Sequence, residues 1–431
     1  MTGNTAISAS AYAEDCEAKY HSLTDEQRER FDIAYDEWKP AAPGIPAHAF
    51  LVGCQGCAGA RYDANGNHVN SLEMKKVPTS WVMRVPKNCA DRTLVFVPPG
   101  MAPATQVFTL FAGLIGPLMN EGYAIAVMHH AGPGFPGFTP YEAFMKPPFH
   151  THDYRNGYLG TSHLLRDLLS EVFVAPAGYY AFSSSRGTSM GNALLADEPG
   201  APFDGFVLGT GGNGVLTTIM DRIASYLAEP NRVPLTGLTP METTAQAKLD
   251  NLIGPVGIST ADPQYREAVL AEPDVDAQLA LALAYDATKR PKAVRRAWED
   301  MEFGADLQRP TIIFHGLRDR TVFPGGQLEF VERIVGAGKS ELVRLYLVRN
   351  MSHGGPFDPP PPPQGFFLDA VHALDAWVRS GTEPGALNAG QFGVQPSCSS
   401  DSRPFAEDPL GCFCSVMGGV DFNGELIAEC H

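Results

Sequence analysis

From residue 80 onward, short apolar runs alternate with segments of helical spacing, and this alternation limits the possible folds more than any other feature. Amphipathic segments such as HLLRDLLSEVF and GGQLEFVERIVGA lie between several of the runs. Strands buried on both faces are apolar throughout, and the helices that connect them cover a parallel sheet. The sequence therefore predicts an α/β fold with a mainly parallel central sheet. The apolar runs are WVMRV (81–85), TLVFV (93–97), YAIAVM (123–128), GYYAF (178–182), GFVLG (205–209), TIIFHG (311–316) and VRLYLV (343–348).

Residues 210–310 interrupt this alternation. They carry helix-like stretches, among them VLTTIMDRIASYLAE and VDAQLALALAYDATKR, without a clear strand. We expect a helical cap, or lid, inserted into a core of residues 80–209 and 311–382 whose last helix covers 364–380. Residues 1–79 are expected to form an N-terminal helix, arm and hairpin, and residues 383–431 a Cys-containing C-terminal extension. A chain of 431 residues accommodates one large domain with such insertions.

Two local signals mark the N-terminal region. Thr24, followed three residues later by Gln27, fits a capping box and predicts a helix through DEQRERFDIAYDEW that ends before Pro40. Residues 60–70 read as a hairpin that turns at Asn65-Gly66, since that dipeptide favours positive φ. The alternative, calcium binding by Asp63, Asn65 and Asn67, is less favoured because the glycine stands in the wrong place for an EF-hand loop.

The segment YYAFSSSRGTSMGNALL has the form strand, tight turn, helix. Such a turn can hold a nucleophile above a sheet, but it requires small residues two positions before and two after. Ser185 fits, with Ser183 before it and Gly187 after it. Ser184 would place a bulky residue at both positions, and Ser183 lacks a following glycine. A Ser-rich loop at a helix N-cap is the alternative interpretation.

Two later residues complete a catalytic pattern. Asp319 follows the apolar run TIIFHG, and His353 follows VRLYLV and precedes two glycines. Each residue alone is weak evidence for a catalytic role, because Asp and His are common in loops. The order Ser, Asp, His, each beyond the carboxyl end of its own strand, is the order of a hydrolase triad in this type of fold. We therefore predict a triad of Ser185, Asp319 and His353.

The residue types define the expected chemistry. His353 would accept the serine proton during attack and return it to the leaving group, while Asp319 would fix the imidazole tautomer. Two backbone N–H groups would stabilise the tetrahedral intermediate: that of Arg186, next to the nucleophile, and that of Met101, with Gly100 relaxing the turn. This chemistry needs no cofactor and no metal.

Two further segments are candidates for shaping a substrate pocket next to the predicted triad. His129 and His130 follow the run YAIAVM and are candidates for substrate binding, although a structural loop is an equal alternative. The prolines 359–363 predict a stiff polyproline II segment that either holds the histidine loop or binds a partner.

The formal charge of −16, with a pI of about 5.2, excludes some partners. Acidic surfaces repel phosphate backbones, so nucleic acid is not expected as a partner. No stretch approaches the roughly 20 apolar residues of a membrane span. Nothing in the sequence fixes the oligomeric state.

Eight cysteines predict disulfides, because four of them lie in a polar tail that has little core to order it. A zinc site at Cys54 and Cys57 is the weaker interpretation, since no second close pair with matching spacing follows. The opening residues lack the pattern of a signal peptide. We expect a secreted or periplasmic protein whose signal is not part of this sequence, with a cytoplasmic protein as the alternative. The four tail cysteines are Cys398, Cys412, Cys414 and Cys430.

Over roughly residues 80–380 the chain resembles the α/β-hydrolase superfamily, on the motifs SSSRG, HGLRDRTV and NMSHGG. The ending AVHALDAWVRSGTEPGAL, followed by SRPF and a Cys-rich tail, is similar to tannase-type and feruloyl-esterase-type enzymes. These, and secreted polyester depolymerases, imply carboxylic-ester substrates with aryl or polymeric acyl groups. The tannase pattern pairs a Cys before the nucleophile with a Cys beside the histidine. Here those places hold Ser184, Ser352 and Gly354.

The resemblance implies a serine esterase that cleaves small-molecule or polymeric esters through an acyl-enzyme. A serine peptidase or amidase of the same fold is one alternative. A binding protein on this scaffold, without turnover, is another.

Overall fold

The computed structural model describes fourteen segments of the chain. By its internal contacts the chain divides into two compact units. The first consists of Met1–Phe96, Ala102–Gly137 and Gly157–Tyr180, and the second of Val97–Met101, Phe138–Asn156 and Ala181–His431. The described segments are residues 14–55, 79–97, 107–109, 111–129, 151–184, 193–210, 215–228, 244–254, 257–299, 302, 304–316, 324–348, 364–384 and 394–397.

The described part of the chain contains strands and helices, and from residue 92 onward at least one helix separates each strand from the next. The strands are β1 (Glu14–Asp15), β2 (Ile33–Lys39), β3 (His48–Gln55), β4 (Thr79–Pro86), β5 (Asn88–Cys89), β6 (Arg92–Val97), β7 (Ala124–His129), β8 (Gly178–Ser184), β9 (Gly205–Gly209), β10 (Thr311–Gly316), β11 (Val343–Val348) and β12 (Val394–Ser397). The α-helices are Cys16–His21, Asp25–Arg30, Ala112–Asn120, Thr151–Val172, Ala193–Ala196, Val215–Ala228, Ala245–Ile253, Pro263–Leu270, Val275–Leu283, Lys292–Glu299, Pro324–Gly336 and Gln364–Ser380. Short 3-10 turns cover Ile258–Thr260, Ala287–Lys289 and Ser340–Leu342.

In the second unit, which contains β8 from Ala181 onward, the strands pair in the order β8, β9, β10, β11, β12. Strands β9, β10 and β11 run parallel, and β12 pairs antiparallel with β11. Strands β8, β9 and β10 are buried along their whole length. Because both faces of this sheet are covered, the apolar runs that sequence analysis assigned to it are confirmed as strands, and so is the closing helix Gln364–Ser380.

In the first unit, the strands pair in the order β6, β7, β4, β3, β2. Strands β6 and β7 are parallel, whereas β4, β3 and β2 add to β7 by antiparallel pairing. The α/β architecture with a mainly parallel sheet and covering helices is therefore confirmed, with an antiparallel portion at the β2 side.

The predicted N-terminal helix is partly wrong. The capping box of Thr24 and Gln27 is present, but the helix ends at Arg30 and residues 33–39 form β2. Asp32 has a φ of 52°, which breaks the helix, and β2 then pairs with β3 from Ile33 to Lys39. The ladder to β3 satisfies the backbone groups of this aromatic and β-branched segment, and such tertiary pairing overrides a local helical pattern.

A disulfide joins Cys16 to Cys89 in the first unit, with the two Cα atoms 5.9 Å apart. It ties the helix Cys16–His21 to β5, and β1 pairs antiparallel with β5 beside it. The prediction of disulfides is confirmed for this pair. The side chain of Cys54, together with Cys57 and the four tail cysteines, lies outside the described residues.

The described residues between 210 and 310 form five α-helices and two 3-10 turns around a hydrophobic cluster. This helical content agrees with the prediction for the insertion. Its role as a lid, and the domain limits drawn from the sequence, stay predictions. The buried members of the cluster are Ile219, Ile223, Leu249, Leu252, Ile253, Ile258, Val269, Ala282, Tyr285 and Trp298.

Several sequence-based expectations fall outside the described residues. They are the hairpin at 60–70, the calcium candidates Asp63, Asn65 and Asn67, and the prolines 359–363. Within the part of the chain that the structure describes, no helix combines the length and apolarity needed to cross a membrane.

Candidate active site

The predicted catalytic residues themselves lie outside the described residues. This holds for the triad of Ser185, Asp319 and His353 and for the oxyanion candidates Arg186, Met101 and Gly100. Among the histidine candidates, His130 also lies outside, and His129 is the last residue of β7 in the first unit. The structure does describe the ends of the strands that precede the triad candidates.

Three strand ends in the second unit lead directly to the three triad candidates. Strand β8 ends at Ser184, the residue before Ser185. Strand β10 ends at Gly316, three residues before Asp319, and β11 ends at Val348, five residues before His353. The register of the parallel pair places Gly316 opposite Val348, so β10 and β11 end side by side.

A hydrogen bond between two side-chain hydroxyls links the ends of β8 and β9. The Oγ of Ser184 lies 3.0 Å from the Oγ1 of Thr210, the residue that follows β9. Ser184 is 2% exposed and Thr210 is fully buried. The backbone N–H of Thr210 in turn donates to the carbonyl of Phe314 in β10, at 3.0 Å. These contacts align the carboxyl ends of three neighbouring strands.

An aromatic cluster packs against the same strands. The ring centroid of Phe314 lies 6.2 Å from that of Phe182 and 5.0 Å from that of Phe367, on the helix Gln364–Ser380. Phe182 and Phe367 are themselves 5.7 Å apart, edge to face. Gly209 is required here, because a Cβ at this position would come within 2.0 Å of the Phe314 ring. The cluster therefore joins β8 and β10 to the helix Gln364–Ser380.

Two polar side chains, one of β10 and one of the helix that follows it along the chain, are buried. His315 in β10 and Gln327 in the first turn of the helix Pro324–Gly336 are both fully buried. Within the described part of the chain, neither the amide nitrogen nor the amide oxygen of Gln327 has a hydrogen-bond partner. Burial raises the pKa of the Tyr346 phenol in β11 far above its ordinary value, so this side chain stays neutral.

Neither Thr210 nor Phe367 was identified from the sequence as a residue of this region. Thr210 closes the run GFVLGT, so its position at a strand end was visible in the sequence. Its contact with Ser184 was not, because the two residues are 26 positions apart. In the described segments, no group of three or more His, Cys, Asp or Glu side chains is arranged to hold a metal ion.

We compared the chain with family models, curated protein sequences and solved structures. No family model and no curated protein sequence matches the chain. Among solved structures, feruloyl esterase B from Aspergillus oryzae superposes with a TM-score of 0.50 at 12% identity, covering 91% of this chain and 96% of that one. An esterase from Aspergillus oryzae gives 0.49 at 14% identity over 88% and 92%. Acylaminoacyl peptidase from Pyrococcus horikoshii gives 0.44 at 10% identity over 80% and 49%.

Identities this low are evidence of shared architecture alone. The likeness to feruloyl esterase B extends over nearly the whole of both chains and agrees with the sheet described above. The resemblance drawn from the sequence is thus confirmed at the level of the fold: this chain has the α/β-hydrolase fold.

Proposed function

We propose that this chain is a serine hydrolase that cleaves carboxylic esters, with Ser185, Asp319 and His353 as its catalytic triad. The observation that carries the proposal is the alignment of the strand ends: β8, β10 and β11 belong to one run of neighbouring strands, and each leads into one triad candidate. In open α/β sheets, ligands bind beyond the carboxyl ends of the strands.

Covalent geometry permits the three side chains to meet. Neighbouring strands lie about 4.8 Å apart, so β8 and β10 are separated by about 10 Å, and β8 and β11 by about 14 Å. Three residues beyond Gly316 span up to about 10 Å, and five residues beyond Val348 up to about 17 Å. Asp319 and His353 therefore have enough chain to reach the neighbourhood of Ser185.

The proposed reaction has two halves. In acylation, the Ser185 hydroxyl attacks the ester carbonyl while the imidazole of His353 takes its proton, and the same proton then passes to the departing alkoxide. In deacylation, His353 takes a proton from water, the hydroxide attacks the acyl-enzyme, and the proton returns to Ser185. Asp319 accepts a hydrogen bond from the imidazole and stabilises its cationic form.

The negative charge on the tetrahedral intermediate requires backbone donors. We assign the N–H of Arg186 and the N–H of Met101, which lies four residues beyond the end of β6. Gly100 would relax the turn after β6 that carries Met101. His129 and His130 stay candidates for contacts with the substrate.

An ester is the favoured substrate class. The structural similarity to feruloyl esterase B supports it, together with the sequence resemblance to tannase-type and feruloyl-esterase-type enzymes. The helices between residues 210 and 310 are the proposed lid that selects aryl, alkyl or polyester-oligomer groups. The disulfide of Cys16 and Cys89 supports an exported protein, because such bonds persist in oxidising compartments.

Fluorophosphonate labelling tests the proposal, because the reagent reacts covalently with activated serines. Peptide mass spectrometry should place the adduct on Ser185. The variant Ser185→Ala should not be labelled. A matched control is Ser162→Ala, which removes a buried serine hydroxyl outside the proposed triad, one that donates to the carbonyl of Tyr158, and it should be labelled like the wild type. A folded wild type that takes no label, or takes it on another residue, would refute the assignment.

A further inference from the structure

Thr210 has an unusual backbone conformation. Its φ is 44°, a region that L-residues with branched Cβ atoms rarely adopt. Glycine would adopt this conformation without strain, and the sequence places glycine on both sides, at 209 and 211. A threonine in such a conformation implies that its side chain has a role that glycine cannot fill. Strained residues of this kind cluster at functional sites, where the surrounding structure holds them in place.

The contacts of Thr210 define what its side chain does. The N–H donates to Phe314 in β10, and the hydroxyl is hydrogen-bonded to Ser184 at 3.0 Å. Both hydroxyls are withdrawn from solvent, so water does not compete for this bond. The residue thus joins the end of β8 to the neighbouring strands.

We propose that Thr210 is a positioning residue for the nucleophile: its hydrogen bond to Ser184 fixes the direction in which β8 leads into Ser185. This inference rests on the proposed function, in which Ser185 is the attacking group. Ser184 and Ser185 share a peptide bond, so restraining the side chain of Ser184 restrains the backbone that carries the reacting hydroxyl. A displacement of about 1 Å at a reacting atom can cost about 100-fold in rate.

The chain offers a matched control for this hydrogen bond. Thr311 is also fully buried, at the amino end of β10, and its hydroxyl donates to the carbonyl of Arg309 at 2.9 Å. Thr210→Val and Thr311→Val each remove one buried hydroxyl from the second unit and keep the branched Cβ. Thr210→Val affects the carboxyl end of the parallel strands, where the triad is proposed, and Thr311→Val affects the amino end. Thr210→Ser keeps the hydroxyl and removes only the methyl group.

The experiment measures the rate of fluorophosphonate labelling, kcat and KM for p-nitrophenyl acetate, and the thermal midpoint of each variant. Thr210→Val and Ser184→Ala should each lower the labelling rate and kcat by about 10- to 100-fold, with KM changed less than about twofold. The double variant should be no slower than the slower single variant, because both remove the same bond. Thr210→Ser should restore most of the rate, and Thr311→Val should keep the wild-type rate.

The outcomes separate the two proposals. If Thr210→Val and Ser184→Ala lower the thermal midpoint as Thr311→Val does but keep the wild-type kcat, the hydrogen bond is purely structural and the positioning role is wrong. If Thr210→Val does not fold, Ser184→Ala removes the same bond without changing residue 210, and its rate decides. If the wild type itself takes no label and hydrolyses no ester, the proposed function fails first, and this inference with it.

Discussion

At the scale of single residues, His48 shows how burial sets a protonation state. Its side chain is buried in β3, and its Nδ1 lies 2.9 Å from the carbonyl oxygen of Pro46. Burial is the main reason that the pKa of the imidazole is lowered to about 4; the hydrogen bond to Pro46 opposes this shift, and the nearby cations Arg84 and Lys39 contribute to it. His48 is therefore neutral in the folded protein at neutral pH.

This burial predicts a loss of stability in acid. Between about pH 6.5 and pH 4 the unfolded chain binds a proton at His48 that the folded chain does not, so the free energy of unfolding falls as the pH decreases. We expect His48 to account for up to about 3 kcal/mol of that decrease. Urea unfolding of the wild type and of His48→Gln should show a smaller decrease for the variant. At pH 8, His48 is neutral in both the folded and the unfolded chain, so unfolding there measures the cost of the substitution itself. If the free energy of unfolding falls with pH equally in the variant and the wild type, the prediction is wrong.

Asp262 combines a helix cap with a buried ion pair. It is 1% exposed and accepts a hydrogen bond from the N–H of Tyr265 at the start of the helix Pro263–Leu270. Its other contacts are the guanidinium of Arg290 and the hydroxyl of Tyr285, which in turn accepts from Trp298. The residue therefore connects three parts of the helical insertion.

Removing Asp262 should destabilise the protein far more than removing an ordinary cap. Asp274 is the matched control, because it caps the helix Val275–Leu283 through Ala277 but is exposed. Asp274→Ala should cost about 1 kcal/mol, the usual value of a cap. Asp262→Ala should cost about 3 kcal/mol or more, because Arg290 loses its partner. Urea unfolding gives both values, and equal losses would show that the ion pair contributes nothing.

At the scale of elements, the local pattern of the sequence predicts the buried strands of the sheet but not its edge strand β2. The runs GFVLG, TIIFHG and VRLYLV coincide with β9, β10 and β11, because strands in a sheet that is covered on both faces are mostly apolar. Strand β2 was missed, since its polar residues also fit a helical spacing and only the pairing with β3 decides. The helix predicted from Val275 ends at Leu283, before the 3-10 turn Ala287–Lys289.

The disulfide is the covalent link between two elements of the first unit, and its removal should be costly. Cys16 and Cys89 are 73 positions apart. Closing a loop of that size lowers the entropy of the unfolded chain, which raises its free energy by about 4 kcal/mol at 25 °C. The double variant Cys16→Ser/Cys89→Ser should lower the free energy of unfolding by about 2 to 4 kcal/mol, measured in urea. A variant as stable as the wild type would mean that the bridge adds nothing.

At the scale of the whole molecule, the fold could be predicted from the sequence, whereas contacts between residues far apart in the chain could not. Ser185, Asp319 and His353 stand out because each follows an apolar run, which is a local property of the sequence. The contact between Ser184 and Thr210, or between Asp262 and Arg290, depends on residues more than 25 positions apart. Contacts of that kind follow from the tertiary structure and leave no periodic pattern in the sequence.

Hydrolysis of a panel of p-nitrophenyl esters by the wild type, Ser185→Ala and Ser162→Ala decides whether this protein is an esterase that uses Ser185. We expect turnover by the wild type and by Ser162→Ala, and a loss of at least about 10⁴-fold in kcat for Ser185→Ala without loss of folding. A folded wild type that hydrolyses no ester, or a Ser185→Ala variant that keeps the wild-type rate, would contradict this expectation.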